Sequence, residues 1–288
     1  MTPITNIRLA WIAVFLLILL MPCSGQEREN IEVITFNIRY DNPADGIFSW
    51  ENRKDMVFWV IAKYDPDILG IQEALKSQVD ELEEFLTEYS WLGAGRNDGH
   101  HQGEYVPIFF KKDRFMLAEE GHFWLSKTPE IPGSMGWDAA CTRMVSWVKL
   151  NEARSGNEYF VFNTHFDHIG EEARENSARL LTDSILSIAG SGPVIITGDL
   201  NADPESGTVK VLSQLFSDSR LGAEVSETAS GTTFIGFPAD MNQGKIIDHI
   251  FVSKHFIIEE YEIISDNTGG YYPSDHLPVW VCLQMSAQ

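Results

Sequence analysis

Short apolar runs alternate with amphipathic stretches along this chain, and most of the runs end in a polar tip. Ile31–Ile38, Asp67–Ile71, Tyr159–Asn163 and Pro193–Thr197 are rich in Val, Ile and Phe and read as buried strands. Asn52–Tyr64 groups Met56, Val57, Trp59, Val60 and Ile61 as the buried face of a helix. Ser77–Leu86 does the same with Val79, Leu82, Phe85 and Leu86, and Glu171–Ile188 with Leu180, Leu181, Ile185, Leu186 and Ile188. A further helix is expected over Pro204–Phe216, with Pro204 in its first turn. Val106–Phe110, Phe115–Leu125 and Met144–Leu150 predict antiparallel strands. Ile246–Val252, Phe256–Ile264 and Pro278–Leu283 complete the set. Two halves emerge, each with strands and covering helices. No repeat or Pro/Gly-rich linker divides them, so the pattern predicts one mixed α/β domain.

The polar tips carry the chemistry. They are Thr35-Phe36-Asn37, Ile71-Gln72-Glu73, Asn163-Thr164-His165, Gly198-Asp199-Leu200-Asn201, Ile247-Asp248-His249 and Ser274-Asp275-His276. Strand ends are where α/β proteins place reacting groups, so these distant segments read as one site. The inventory suits phosphoester hydrolysis, which needs a metal against the phosphate charge, an activated water and hydrogen-bond donors. Asp199 and Asn201 sit two apart, so an extended segment would point them the same way. A carboxylate beside an imidazole fixes its tautomer and stabilises its protonated form, which suits Asp248 with His276.

In this order the six tracts resemble the endonuclease/exonuclease/phosphatase superfamily, the deoxyribonuclease I-like group, from about Ile31 to Leu283. The resemblance implies a four-layer α/β sandwich of two packed mixed β-sheets flanked by helices. It implies Glu73 and Asp275 as ligands of a divalent cation, with Asn37 supporting the metal site and the phosphate. It also implies Asp199 as the group that orients and deprotonates water, Asn201 and His276 as donors to the phosphate, and His165 at the phosphate near the leaving group. Mg²⁺ is the expected cofactor; an oxygen-rich site also accepts Mn²⁺. The chain departs from some members at Arg39, two places after Asn37. Arg39 either binds a phosphate or substrate carboxylate or pairs with a nearby acid. Asp167 is read as a supporting group or a solvated loop residue, His249 as structural, and His100-His101 as part of a loop.

The chain has 288 residues with 44% hydrophobic content, enough for one large core. Its formal net charge of -21 opposes long-range attraction to DNA or anionic membranes. Arg8 followed by apolar Leu9–Met21 and Cys23-Ser24-Gly25 predicts a signal peptide over residues 1–25, hence export to the periplasm or beyond. Lipid attachment at Cys23 is the alternative, and Pro22 before it is a poor residue there. Residues 26–288 are then the catalytic domain, with no transmembrane span. Cys141 and Cys282 remain, as a disulfide or as two buried thiols. Substrate choice is assigned to three loops. Trp50 lies in Asp45–Trp50, Arg96 in Gly95–Gly103, and Trp137 and Arg143 in Pro129–Arg143. The tryptophans stack on a base or sugar or pack back on the fold; Arg143 meets phosphate or pairs with an acid.

The expected function is an exported, metal-dependent phosphoesterase. Its expected partner is a phosphorylated small molecule, glycan or lipid; nucleic acid is disfavoured because basic residues are not clustered. Alternatives are a secreted non-specific endonuclease and a sphingomyelinase- or phospholipase C-like enzyme. The non-enzyme alternative is a glycan- or lipid-binding protein on the same scaffold, against which the full set of polar tips argues.

Overall fold

Two β-sheets pack face to face in the computed structural model, which describes residues 30–222, 224–225 and 231–286. The expected leader, residues 1–25 with Cys23, lies outside the described residues. The first half opens with β1 (Ile31–Asn37), a 3₁₀ turn (Pro43–Phe48), α1 (Trp50–Tyr64), β2 (Ile68–Gln72) and α2 (Lys76–Phe85). It continues through β3 (Tyr89–Leu92) and β4 (Ile108–Lys111). The second half runs β5 (Phe115–Trp124), β6 (Met144–Glu152), β7 (Glu158–His165), α3 (Glu171–Ala189), β8 (Val194–Asp199) and α4 (Gly207–Leu212). After it come β9 (Ser217–Asp218), α5 (Ser219–Gly222), β10 (Glu224–Val225), β11 (Asp248–Val252), β12 (Phe256–Ile263) and β13 (Val279–Met285).

The seven-stranded sheet has the order β10-β12-β13-β1-β2-β4-β3, and the six-stranded sheet β5-β6-β7-β8-β11-β9. Both sheets are mixed. β1 and β2 are parallel and joined through α1; β7 and β8 are parallel and joined through α3. A parallel neighbour requires such a crossover, and the crossover covers the outer face. Successive residues on these strands therefore serve different layers. Val33, Val161 and Ile195 fill the core between the sheets. Ile34 and Phe36 pack outward with Val57, Val60 and Ile61 of α1, and Phe162 and Ile196 with Leu181 and Ile185 of α3. Burial on both faces is why these strands read as unbroken apolar runs.

A polar layer between the sheets lies beneath the tips. Asn163 Nδ2 donates to the carbonyls of Ile71 (2.6 Å) and Pro107 (2.9 Å) across the interface. Its Oδ1 accepts from Gln72 Nε2 (2.6 Å) and Thr197 Oγ1 (3.0 Å). Gly70 is small because the sheets meet there: a Cβ would lie 2.2 Å from Thr197 Oγ1. Satisfied buried networks of this kind fix one alignment of the layers, since a slipped alignment would leave several groups unpaired.

Several boundaries differ from expectation. The helix expected over Pro204–Phe216 is only Gly207–Leu212, because Ser206 caps it by accepting from Val209 N–H at 3.2 Å. β3 has a mixed pattern of only four residues and is not legible as a strand. Trp50 opens α1 and is 2% exposed, edge-on to Phe58, so the packed-back reading holds and its ring is closed to substrate. Cys141 and Cys282 are both free. No helix among the described residues is long and apolar enough to cross a membrane.

Candidate active site

The parallel pairs β1–β2 and β7–β8 deliver four tips to one place. Asn37 ends β1 opposite Gln72 of β2, and His165 ends β7 opposite Asp199 of β8. Asp248, at the start of β11, pairs with Asp199 on the other side. Glu73 follows β2 with φ of 64°. In that conformation its carboxylate returns over β1, accepting from Asn37 Nδ2 at 3.0 Å and Tyr40 N–H at 3.2 Å. Glu73 is not a helix cap, since α2 is capped at Leu75. Asn201 has φ of 48°, so the strand does not extend through it. It meets Asp199 through a tight turn in which Asn201 N–H donates to Asp199 Oδ1 at 2.9 Å. This corrects the expectation that an extended segment aligns the pair. Gly198 is dictated by strand spacing, because a Cβ would lie 2.6 Å from the Thr164 carbonyl oxygen.

A buried arginine that the sequence did not single out braces these tips. Arg53 of α1 donates to the carbonyls of Phe48 (3.0 Å), Arg39 (2.5 Å), Pro273 (3.2 Å) and Ile38. It thereby joins the segment after Asn37 to the one before Asp275. Burial lowers its pKa to about 10, with nearby carboxylates opposing, so it stays charged at neutral pH.

Asp199 stands at the centre. Its Oδ2 accepts from Asn37 Nδ2 at 2.9 Å and lies 3.4 Å from His165 Nε2 and 3.8 Å from His276 Nε2. Burial, and then the Asp248 carboxylate, push its pKa up to about 7, against the opposing pull of His276 and Asn37. His276 Nδ1 sits 2.9 Å from Asp248 Oδ2. Burial alone would favour neutral His276, but Asp248 and Asp199 outweigh it and raise its pKa well above the ordinary value. The imidazole is thus a cation whose Nε2–H faces Asp199. His165 is the opposite case: burial, then the charges of Arg143 and Arg96, hold it well below the ordinary value and neutral. Asn201 Nδ2 donates to the Phe166 carbonyl (3.1 Å) and to His165 Nε2 (3.1 Å), which places the His165 proton on Nδ1.

These groups line a cleft of about 670 Å³. Glu73, His165, Asp199, Asn201, Asp275 and His276 all face it, as do Arg39 and Arg143. Asn37 and Asp248 are buried beneath and act through Asp199, Glu73 and His276. Arg39 pairs with Asp45 at 3.0 and 3.1 Å, the second of its two alternatives, while lying within 4.0 Å of Glu73 and Asp275. Trp137 is half-buried and does not line the cleft. Asp167 is buried and accepts backbone N–H groups from Ala140, Cys141, Ile169 and Gly170, which organises the loop after β7. With its lone pairs so used, and Arg143 donating to His168 Nδ1 at 3.3 Å, the nearby Cys141–Asp167–His168 group is a poor cation site. His249 is structural, bonded to the Ala202 carbonyl at 3.0 Å.

Among the cleft residues not singled out in the sequence are Glu104, Arg174 and Lys245. Glu104 follows the Gly95–Gly103 loop and lies 2.7 Å from Arg96, 3.8 Å from Arg143 and 3.9 Å from His165 Nδ1. Burial raises its pKa, with Arg96 opposing and Glu73 adding. Arg174 is in the first turns of α3, on what reads as an ordinary helix surface. The only sequence signal was Glu104's place as the polar residue between a glycine-rich loop and a strand.

The donor set fits a hard divalent cation. Asp275 is 8% exposed; its carboxylate accepts from the Ser274 hydroxyl at 3.2 Å and lies 4.0 Å from Arg39 Nε. Burial pushes its pKa up, and Glu73 adds to that effect against His276, Arg39 and Arg53. Two carboxylates that repel each other in a wet cleft are what a cation relieves, and ligand atoms of His165 and Asp199 lie within 4.8 Å of Glu73. Asn37 contributes differently: its amide hydrogens are on Glu73 and Asp199, and its oxygen accepts from Arg39 N–H at 3.0 Å.

Residues 34–276 match the model of the Endonuclease/Exonuclease/phosphatase family. A solved member of that family from Bacteroides vulgatus is 36% identical, with 89% of this chain and 99% of that one covered and a TM-score of 0.86. A Bacteroides thetaiotaomicron mannosyl-6-phosphatase is 34% identical over 88% of this chain and 99% of its own, with a TM-score of 0.82. An uncharacterised protein of Acanthamoeba polyphaga mimivirus is 26% identical over 277 residues, 88% of this chain and 100% of its own.

Proposed function

We propose, from the premise that this chain belongs to the endonuclease/exonuclease/phosphatase family, that it is an exported, metal-dependent phosphatase of a sugar phosphate or similar small phosphomonoester. The chain is a hydrolase of phosphoester bonds; the cation, the substrate and the compartment are the proposal. The observation that carries the chemistry is the placement of the buried Asp199 carboxylate, 3.4 Å from His165 Nε2, 3.8 Å from His276 Nε2 and grouped with Glu73, with a pKa that burial and Asp248 raise in the cation-free protein. A base of that kind takes a proton from water at neutral pH.

Glu73 and Asp275 would hold Mg²⁺ or Mn²⁺, with Asn37 orienting Glu73. Bound there, the cation would offset phosphate charge and polarise the phosphoryl group. Asp199 takes the proton of the attacking water as the new O–P bond forms and the ester P–O bond breaks, and the leaving alkoxide departs as the alcohol by taking a proton from water in the cleft. The Nε2–H of His276 donates to the phosphoryl oxygen on which charge develops, and Asp248 holds that imidazolium in orientation. A phosphoryl oxygen at Asn201 takes over the hydrogen that its amide gives to His165.

The cleft volume of about 670 Å³ suits a small organic phosphate, and a mannosyl-6-phosphatase is among the similar structures. The net charge of -21 disfavours a polyanionic polymer, and the apolar Leu9–Met21 supports export. The test is hydrolysis of mannose 6-phosphate, p-nitrophenyl phosphate and bis-(p-nitrophenyl) phosphate with Mg²⁺ or Mn²⁺ and then EDTA, for wild type and Asp199→Ala. Metal-dependent release of phosphate from the monoesters, lost in the variant, is expected. Preferential turnover of the diester would overturn the monoesterase reading, and metal-independent turnover would overturn the cation's role.

A further inference from the structure

One wall of the cleft carries positive charge that the hydrolytic groups do not use. Arg143 precedes β6 and is 5% exposed, yet its Nε and Nη1 are buried without a hydrogen-bond partner. Its nearest carboxylate is Glu104, at 3.8 Å, and that carboxylate is already bound to Arg96 at 2.7 Å. A guanidinium taken out of water and left half-satisfied is costly unless something completes it. Arg174 makes one hydrogen bond, to the Asp167 carbonyl at 3.0 Å, and has no ion pair among those found for the described residues. A cation in the first turns of α3 works against the helix dipole, so Arg174 does not serve its own helix. Lys245 faces the same cleft, exposed and likewise without an ion pair there. In a chain of net charge -21, one cleft lined by Arg143, which Glu104 offsets only in part, and by Arg174 and Lys245, which have no carboxylate partner among the described residues, calls for an outside anion.

The phosphate undergoing hydrolysis is not that anion. The His165 ring separates the two regions: its Nε2 faces Asp199 at 3.4 Å, while its Nδ1 faces Glu104 at 3.9 Å and, through it, the arginines. A void of about 10 Å³ beside Arg143 is too small for an oxyanion, so Arg143 is reached from the main cleft, which it also lines. We propose that Arg143 and Arg174 form a subsite for a second oxyanion on the substrate, so that the preferred substrate is a phosphomonoester whose leaving group itself carries a carboxylate or a phosphate. This rests on the phosphatase reading above. Glu104 is the resident counter-ion: it holds Arg96 and offsets Arg143 only in part.

The test compares kcat/KM at equal ionic strength for three metal-loaded reactions: mannose 6-phosphate with no second anion, 6-phosphogluconate with a carboxylate, and fructose 1,6-bisphosphate with a second phosphate. One charge-assisted pair desolvated in the cleft makes at least one doubly anionic ester about tenfold better than mannose 6-phosphate. Arg143→Met and Arg174→Met are expected to reduce the better doubly anionic ester by about tenfold more than they reduce mannose 6-phosphate. Arg174 is half-buried on a helix, so its variant keeps the test sound if Arg143→Met does not fold. Whichever doubly anionic ester responds identifies carboxylate or phosphate as the recognised group. Equal losses on all three esters, or a wild type indifferent to the second charge, would overturn the subsite while leaving the phosphatase reading intact. Calorimetric titration of Asp199→Asn with the same esters reads the preference without turnover. Absence of binding and turnover with all three would overturn both readings.

Discussion

Replacing Asp248 with Asn should move the whole pH profile of hydrolysis toward acid, not merely lower it. Asp248 acts on two groups at once. Its Oδ2 lies 2.9 Å from His276 Nδ1 and is a main reason that imidazole is a cation. It also faces Asp199 across the β8–β11 pair and, after burial, is the next cause of the raised Asp199 pKa of about 7. Neutralising it makes His276 lose its proton at lower pH and makes Asp199 ionise at lower pH. If His276 must be protonated and Asp199 ionised, both limbs of the bell shift in the same direction. A buried charge-assisted hydrogen bond contributes about 1.5–3 kcal/mol. At about 1.4 kcal/mol per factor of ten, kcat on the alkaline limb should fall roughly ten- to hundredfold. On the acid limb it should hold or rise relative to the variant's own maximum. The assay is kcat and kcat/KM for p-nitrophenyl phosphate from pH 5 to 10 at saturating Mg²⁺, for wild type and Asp248→Asn. A variant whose profile is lower but unmoved would refute the reasoning, since it would mean that Asp248 only shapes the site.

Two further predictions concern stability. The folded Asp199 binds its proton more tightly than an ordinary carboxyl of 3.8, so its contribution to stability is full below that value and is lost as pH rises through about 7. In cation-free buffer Asp199→Asn should therefore gain on wild type with rising pH, by roughly 0.5–2 kcal/mol at pH 8; melting curves at pH 5 and 8 that show no widening gap would contradict this. Gly70→Ala forces a Cβ against Thr197 Oγ1, 2.2 Å away, and must part the sheets or break the Thr197–Asn163 bond. A loss of about 1–3 kcal/mol is expected in urea unfolding, with kcat falling too because the tips ride on both sheets; a wild-type midpoint would mean that the interface is looser than described.

The apolar runs of β1, β2, β7 and β8 were legible because each strand is covered on both faces, and continuous burial leaves a continuous apolar signature. Polar residues at their ends were legible for the same reason: an Asn, Glu, His or Asp directly after such a run has few structural uses. Asn37, Glu73, His165, Asp199 and Asn201 were identified there, Asp248, Asp275 and His276 at or before the start of β11 and β13, and all of them converge. What the chain's order could not specify is anything set by the crossing of the two sheets. Arg53 looked like one more polar position on an amphipathic helix, yet four carbonyls from three segments meet on its side chain. Arg174 was silent, and Glu104 gave only its place after a glycine-rich loop, because neither ends a buried run. Trp50 was read as an open lip or a packed ring, and only the start of α1 against Phe58 decides between them. Local sequence determines which residues lie at strand ends, because periodicity and burial act over a few neighbours. Which tips touch, which charges are left unpaired and where a carboxylate is driven toward neutrality depend on long-range contacts, since charge and desolvation act through space between residues far apart in the chain.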